Sequence, residues 1–161
     1  MGTWMSPDGL YKKFGTTKTI PNTGGEYKSY GEVREIELLV NLAGQTVTPV
    51  ILNDEVFYPV GMQLQEVEVY VETVGVPGAA TSINMGLIQT DRTTVISATY
   101  FLAASVIADH TPKGKKTVYV NGAGVTVPNT VPGYITLAAV GGTYTSGVLK
   151  VRIRYYRPNT N

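Results

Sequence analysis

The sequence predicts an all-β protein: an antiparallel β-sandwich of jelly-roll type behind an extended N-terminal arm. Three observations lead there. The composition is rich in Gly (18), Pro (9) and Tyr (11) and only 16% charged, the vocabulary of strands and turns. Several stretches alternate apolar and polar residues with period 2. Gly and Pro break the chain roughly every 10 residues, the spacing of an antiparallel sandwich or barrel. At 161 residues the chain suits one domain with a core of its own.

Residues 1–31 differ from the rest. Glycines recur and the apolar residues stand alone: Trp4, Leu10, Tyr11, Phe14, Ile20, Tyr27 and Tyr30. No period lasts, so the segment buries no continuous face of its own, yet it has too many aromatics for a disordered tail. It reads as an extended arm that lies on a neighbouring subunit or on its own domain, with Trp4, Leu10, Tyr11, Phe14, Tyr27 and Tyr30 as candidate partner-binding anchors.

The domain proper spans residues 32–161. Val33–Leu42 puts Ile36, Leu38, Val40 and Leu42 on one face and Glu35, Glu37 and Asn41 on the other. Thr46–Leu52 reads as a second strand bent by Pro49, and Val56–Tyr58 as a third. Met62–Val74 alternates Val67, Val69, Val71 and Thr73 with Glu66, Glu68, Tyr70 and Glu72, and Gly75–Ala80 is a turn. Ser82–Thr90, with Ile83, Met85 and Leu87 on one side, and Thr93–Ser97 follow as strands. Residues 99–108 read as a short helix or a strand. Strands are expected at Thr117–Val120, Val125–Val127, Tyr134–Val140 and Val148–Tyr156, the last alternating Leu149, Val151, Ile153 and Tyr155 with Lys150, Arg152 and Arg154. Eight to ten short strands in this length close most simply as two packed sheets.

The acidic stripe of Glu66, Glu68 and Glu72 and the basic stripe of Lys150, Arg152 and Arg154 predict that these two strands are neighbours, forming ion pairs on a solvated face rather than a cation site. A one-residue slip would turn the valines to water and the arginines to the core, so burial fixes the register.

Signs of chemistry are sparse. There is one histidine, His110, and no cysteine. His110 sits before Pro112-Lys113-Gly114 and reads as a solvated loop residue. No Gly-x-Ser-x-Gly elbow is present, and Asn121-Gly122-Ala123-Gly124 lacks the Lys-Ser/Thr of a phosphate loop. No enzyme, cofactor or metal is expected. The balance of 13 basic and 12 acidic residues calls for neither nucleic acid nor an anionic membrane. There is no apolar run long enough to span a bilayer as a helix, and Met1–Leu10 lacks the apolar region of a secretory signal. The tyrosines suit a sugar platform or a protein interface.

The motifs Pro7-Asp8-Gly9-Leu10-Tyr11, Lys13-Phe14-Gly15-Thr16-Thr17-Lys18, Thr23-Gly24-Gly25-Glu26-Tyr27 and Thr48-Pro49-Val50-Ile51 recur in a familiar order. They are followed by Asn84-Met85-Gly86-Leu87-Ile88-Gln89-Thr90-Asp91-Arg92, Pro132-Gly133-Tyr134-Ile135-Thr136 and the terminal Leu149-Lys150-Val151-Arg152-Ile153-Arg154-Tyr155. In this the chain resembles the small head decoration, or cement, proteins of tailed-phage virions, over nearly its whole length. The resemblance implies a virion location on the phage head, the major capsid protein of the same virion as partner, and a homo-oligomer, a trimer being favoured. It supplies no catalytic residues. Two other readings stay open: a virion carbohydrate-binding or adhesion module, and a single-jelly-roll capsid protein.

Overall fold

The computed structural model describes residues 3–5, 11–14, 25–30, 33–80, 82–109 and 111–158. Among them the chain forms twelve strands: β1 (Thr3–Met5), β2 (Tyr11–Phe14), β3 (Gly25–Tyr30), β4 (Val33–Asn41), β5 (Val50–Ile51), β6 (Phe57–Tyr58), β7 (Gln63–Pro77), β8 (Ser82–Gln89), β9 (Val95–Val106), β10 (Lys116–Val120), β11 (Gly133–Val140) and β12 (Tyr144–Tyr156). A single 3-10 turn, Ile107–Asp109, follows β9. All ladders between strands are antiparallel, and the all-β sandwich expected from the alternation is what forms.

Two sheets face each other. Sheet A runs β1-β2-β3-β4-β12-β7-β10 and sheet B runs β5-β11-β8-β9, with β6 also on β11. From β4 onward the chain changes sheet at nearly every connection, and only β5–β6 and β8–β9 stay within one. One core lies between the sheets. Ile36, Leu38 and Val40 of β4, Val67, Val69 and Val71 of β7, and Leu149, Val151 and Ile153 of β12 meet Ile83, Met85 and Leu87 of β8 and Ile135 and Leu137 of β11. Those of β4, β7, β8 and β12 are the inward faces the alternation assigned. Full burial of each such side chain contributes roughly 1.5–3 kcal/mol. At one end, Tyr58 bridges the sheets, with its ring 5.3 Å from Phe101 and 5.1 Å from Tyr155.

One open reading is settled and three local expectations change. Residues 99–108 are not a helix: β9 runs through Val106, because pairing with β8 and burial of Tyr100, Phe101 and Leu102 outweigh the helix preference of Ala and Leu. Irregular register along that ladder lets those three consecutive residues all be buried. The turn expected at Gly75–Ala80 starts later, since β7 continues to Pro77 opposite the start of β12. Gly147, with φ +132, makes this possible, as a Cβ there would lie 2.7 Å from the Cα of Gly75. Of Thr46–Leu52 only Val50–Ile51 enters the ladder, Pro49 having no N–H to give. Val125–Val127 is a loop rather than a strand. Its backbone is committed elsewhere: the Val125 N–H donates to the Asn121 carbonyl at 2.9 Å, and the Val125 carbonyl accepts from the Gln63 side chain at 3.1 Å.

The described parts of residues 1–31 extend sheet A as a meander on β4. Trp4 pairs with Lys12, Lys12 with Tyr27, and Tyr27 with Ile36, at successive register positions.

Candidate interface surfaces

The outer face of sheet A is a charge ladder. Arg152 and Arg154 project from β12, which lies between two acidic strands. Arg152 stands opposite Glu37 of β4 and Glu68 of β7, and Arg154 opposite Glu35 and Glu66. Arg152 donates from Nε to Glu37 at 2.7 Å and from Nη1 to Glu68 at 3.3 Å. Arg154 donates from Nε to Glu35 at 2.9 Å, and its Nη1 reaches Glu66. Lys150 meets Glu72 at 3.3 Å, and Lys116 of β10 meets Glu68 at 2.7 Å. The hydrogen bonds to Glu37 and Glu35 hold the two guanidinium groups above their ordinary pKa.

The expected adjacency of the acidic and basic strands is therefore present, with the acids and bases on one face. The second acidic partner, β4, was not paired with the arginines from sequence. Glu35 and Glu37 have the same two-residue spacing as Arg152 and Arg154, and that spacing was the available signal. Most ladder pairs are partly exposed and contribute about 0.2–1 kcal/mol each. The Glu35 and Glu68 side chains are only 4% and 5% exposed, so losing a partner there leaves a nearly buried charge uncompensated. Among the described residues no group of three potential ligands is arranged to hold a metal ion.

Sheet B is built otherwise. Among the described residues, none of its five strands contains Asp, Glu, Lys or Arg. Its inward residues are Ile83, Met85, Leu87, Ile135 and Leu137, so alternation turns Asn84, Gly86, Ile88, Tyr134, Thr136 and Ala138 outward. Phe57, Val95 and Val106 border this face and are each about half exposed. Gly86 is needed there because a Cβ would lie 2.5 Å from the Ser97 carbonyl oxygen.

Charge returns at the two ends of β9. Before it, Asp91 accepts from the Thr93 and Thr94 N–H groups at 2.9 and 2.8 Å. The Thr94 hydroxyl and these amides lower the Asp91 pKa to about 2. Arg92 lies 3.6 Å from Asp54 and stacks 5.3 Å over the Tyr134 ring. After β9, Ser105 and Tyr119 share a 2.6 Å hydrogen bond, Tyr119 donates to Asp109 at 3.0 Å, and Lys115 reaches Asp109 at 3.0 Å. This chain ties β9 to β10 across the open side of the sandwich.

Of the candidate arm anchors, Trp4 is in β1, Tyr11 and Phe14 are in β2, and Tyr27 and Tyr30 are in β3. Leu10 and His110 lie outside the described residues.

The two sheets thus differ outside: one is covered by ion pairs, and the other is built of strands without charged side chains. The comparisons agree on fold. No family model matches and no curated protein matches. Solved structures do. A chain in the cyanophage Pam1 capsid asymmetric unit aligns with TM-score 0.52 and 19% identity, over 81% of this chain and 90% of that one. A chain in the capsid of Ralstonia phage GP4 aligns with TM-score 0.55 and 13% identity, over 82% and 88%. A chain in the capsid of Helicobacter pylori bacteriophage KHP30 aligns at 0.44 and 15%, over 79% and 94%. For the first two, at these identities, the likeness is one of fold.

Proposed function

We propose that this chain is a non-enzymatic structural protein of a tailed-phage virion, a decoration or cement protein on the head surface. The observation that carries this reading is the fold likeness over about four-fifths of the chain to chains of two phage capsids. In support, the strand order β4-β12-β7-β10 facing β5-β11-β8-β9 suits a jelly roll made of two interleaved four-stranded sheets. The partners in this reading are the major capsid protein and further copies of the chain, associated as a trimer. Residues 1–31 act as the arm, gripping a neighbour by strand addition or in a groove, with Trp4, Leu10, Tyr11, Phe14, Tyr27 and Tyr30 as anchors. The outermost position of β1 and β2 in sheet A suits that role.

The test is imaging of virions made with and without the chain. Intact heads that lose a surface layer and tolerate less heat support decoration. Failure to form heads points instead to a shell-building protein, and heads unchanged in mass and stability overturn the reading. Deleting residues 2–20 from a chain that still folds should lower its occupancy on heads, and undiminished occupancy removes the arm from the proposal.

A further inference from the structure

We infer that the outer face of sheet B is a contact between two copies of this chain, packed face to face about a two-fold axis running across the strands. The inference rests on the surface itself and not on the virion reading. The face is formed by the half-exposed Val95 and Val106 and the partly buried Ile88, Tyr134 and Ala138, around the buried Gly86 and Thr136, and its strands hold no charged side chain. An occupant bringing charge to it would strip that charge of water with nothing opposite to pair it, so the occupant has an uncharged surface of its own. The outer face of sheet A, covered by ion pairs, does not match. A second sheet B does.

Charge at the two ends selects the arrangement. At the start of β9 the Arg92–Asp54 pair gathers Asp54, Glu55, Asp91 and Arg92, three acids and one base. At its end Lys115 bonds both Asp109 and the Ala108 carbonyl, with Lys113 two residues before it, so two bases stand with one acid. β9 is bulged against β8, pairing from Ile88–Val95 to Ser82–Val106, so the two groups stand roughly 20–25 Å apart, beyond the Debye length of about 8 Å. They cannot neutralise each other within one copy. A two-fold across the strands reverses the second copy, so the acidic end of each meets the basic end of the other, twice per contact. A two-fold along the strands would set like over like. Such an isologous contact joins copies in pairs, and with the trimer proposed above it would link one trimer to the next.

Sedimentation equilibrium of the purified full chain tests this, with circular dichroism to verify folding. The wild type should show at least twice the weight-average mass of Ala138→Lys at the same concentration. Val106→Lys, at the half-exposed margin, should lower the mass as well and decides the matter if Ala138→Lys does not fold. Val120→Lys, on the edge strand of sheet A, should behave as wild type. Glu55→Lys and Lys113→Glu should each weaken association several-fold, and the double variant should restore it. Equal masses for wild type and both folded face variants overturn the contact, as does an equal loss with Val120→Lys. Failure of the double variant to restore association overturns the two-fold across the strands.

Discussion

Sheet A and sheet B line the same core but meet the outside differently. In sheet A, β12 sets Lys150, Arg152 and Arg154 between the acids of β4 and β7, and each outward charge of the ladder has its partner within the sheet. In sheet B the strands carry no charge, and small residues with scattered aromatics face out. The difference teaches how a sandwich divides its labour. A face whose charges are mutually satisfied stays solvated and has little reason to bind. A face without charge has no desolvation cost of that kind to overcome when it is covered.

The strongest effects should come from the part the sheets share. Leu87→Ala in sheet B and Ile153→Ala in sheet A each remove a fully buried side chain and should cost about 2–5 kcal/mol, read by urea unfolding. A large cost on one side only would mean that the core is not common to both sheets.

Next comes Gly86. Valine there drives side-chain atoms into the β9 backbone at Ser97 and Ala98 and should cost about 1–3 kcal/mol. A stable Gly86→Val would show that the β9 backbone does not lie that close to Gly86.

The ladder should respond less than the core. Arg152→Ala removes the bonds to Glu37 and Glu68 and leaves Glu68 to Lys116. Arg152 is about one-third exposed, so the loss should fall to about 1–3 kcal/mol, below the 3–5 of a fully buried pair. Asn84→Ala, on the uncharged face, should cost about 1 kcal/mol through its bond to the Ala104 N–H. Equal losses would erase the contrast between the faces.

Extremes of pH should give the smallest effects at ordinary conditions. Burial raises the pKa of Tyr58, Tyr100 and Tyr119, and that of Tyr144 to about 12. A raised folded-state pKa means that stability is full below about pH 10 and lost as pH climbs through the folded values. The melting temperature should therefore fall steadily above pH 10. Asp91 has the opposite sign. Its pKa is lowered from 3.8 to about 2, so its contribution is present above that ordinary value and lost as the pH falls toward 2. Replacing Asp91 by Asn should flatten the acid limb, and an unaltered limb would show that the turn does not contribute.

The sequence by itself determined the class of fold, the inward faces and one strand neighbour. Period 2 named Ile36, Leu38, Val67, Val69, Met85, Leu87, Val151 and Ile153, because only one register hides them all. The acid and base stripes named β7 and β12 as neighbours, because a strand holds its charges at a fixed spacing. Tertiary structure alone decided the rest. TYFLAASVIA has no clear local preference, and only the presence of β8 to pair with and a core to fill makes it a strand. The extension of β7 past Gly75 depends on Gly147, some seventy residues away in sequence, which no local window contains. The second acidic partner of the arginines depends on β4 lying beside β12, a neighbour relation set by the path of the chain between the sheets. The charge-free face of sheet B was hidden for the same reason: its strands are scattered through the sequence, and only their assembly into one sheet turns an absence of charge in each into a surface.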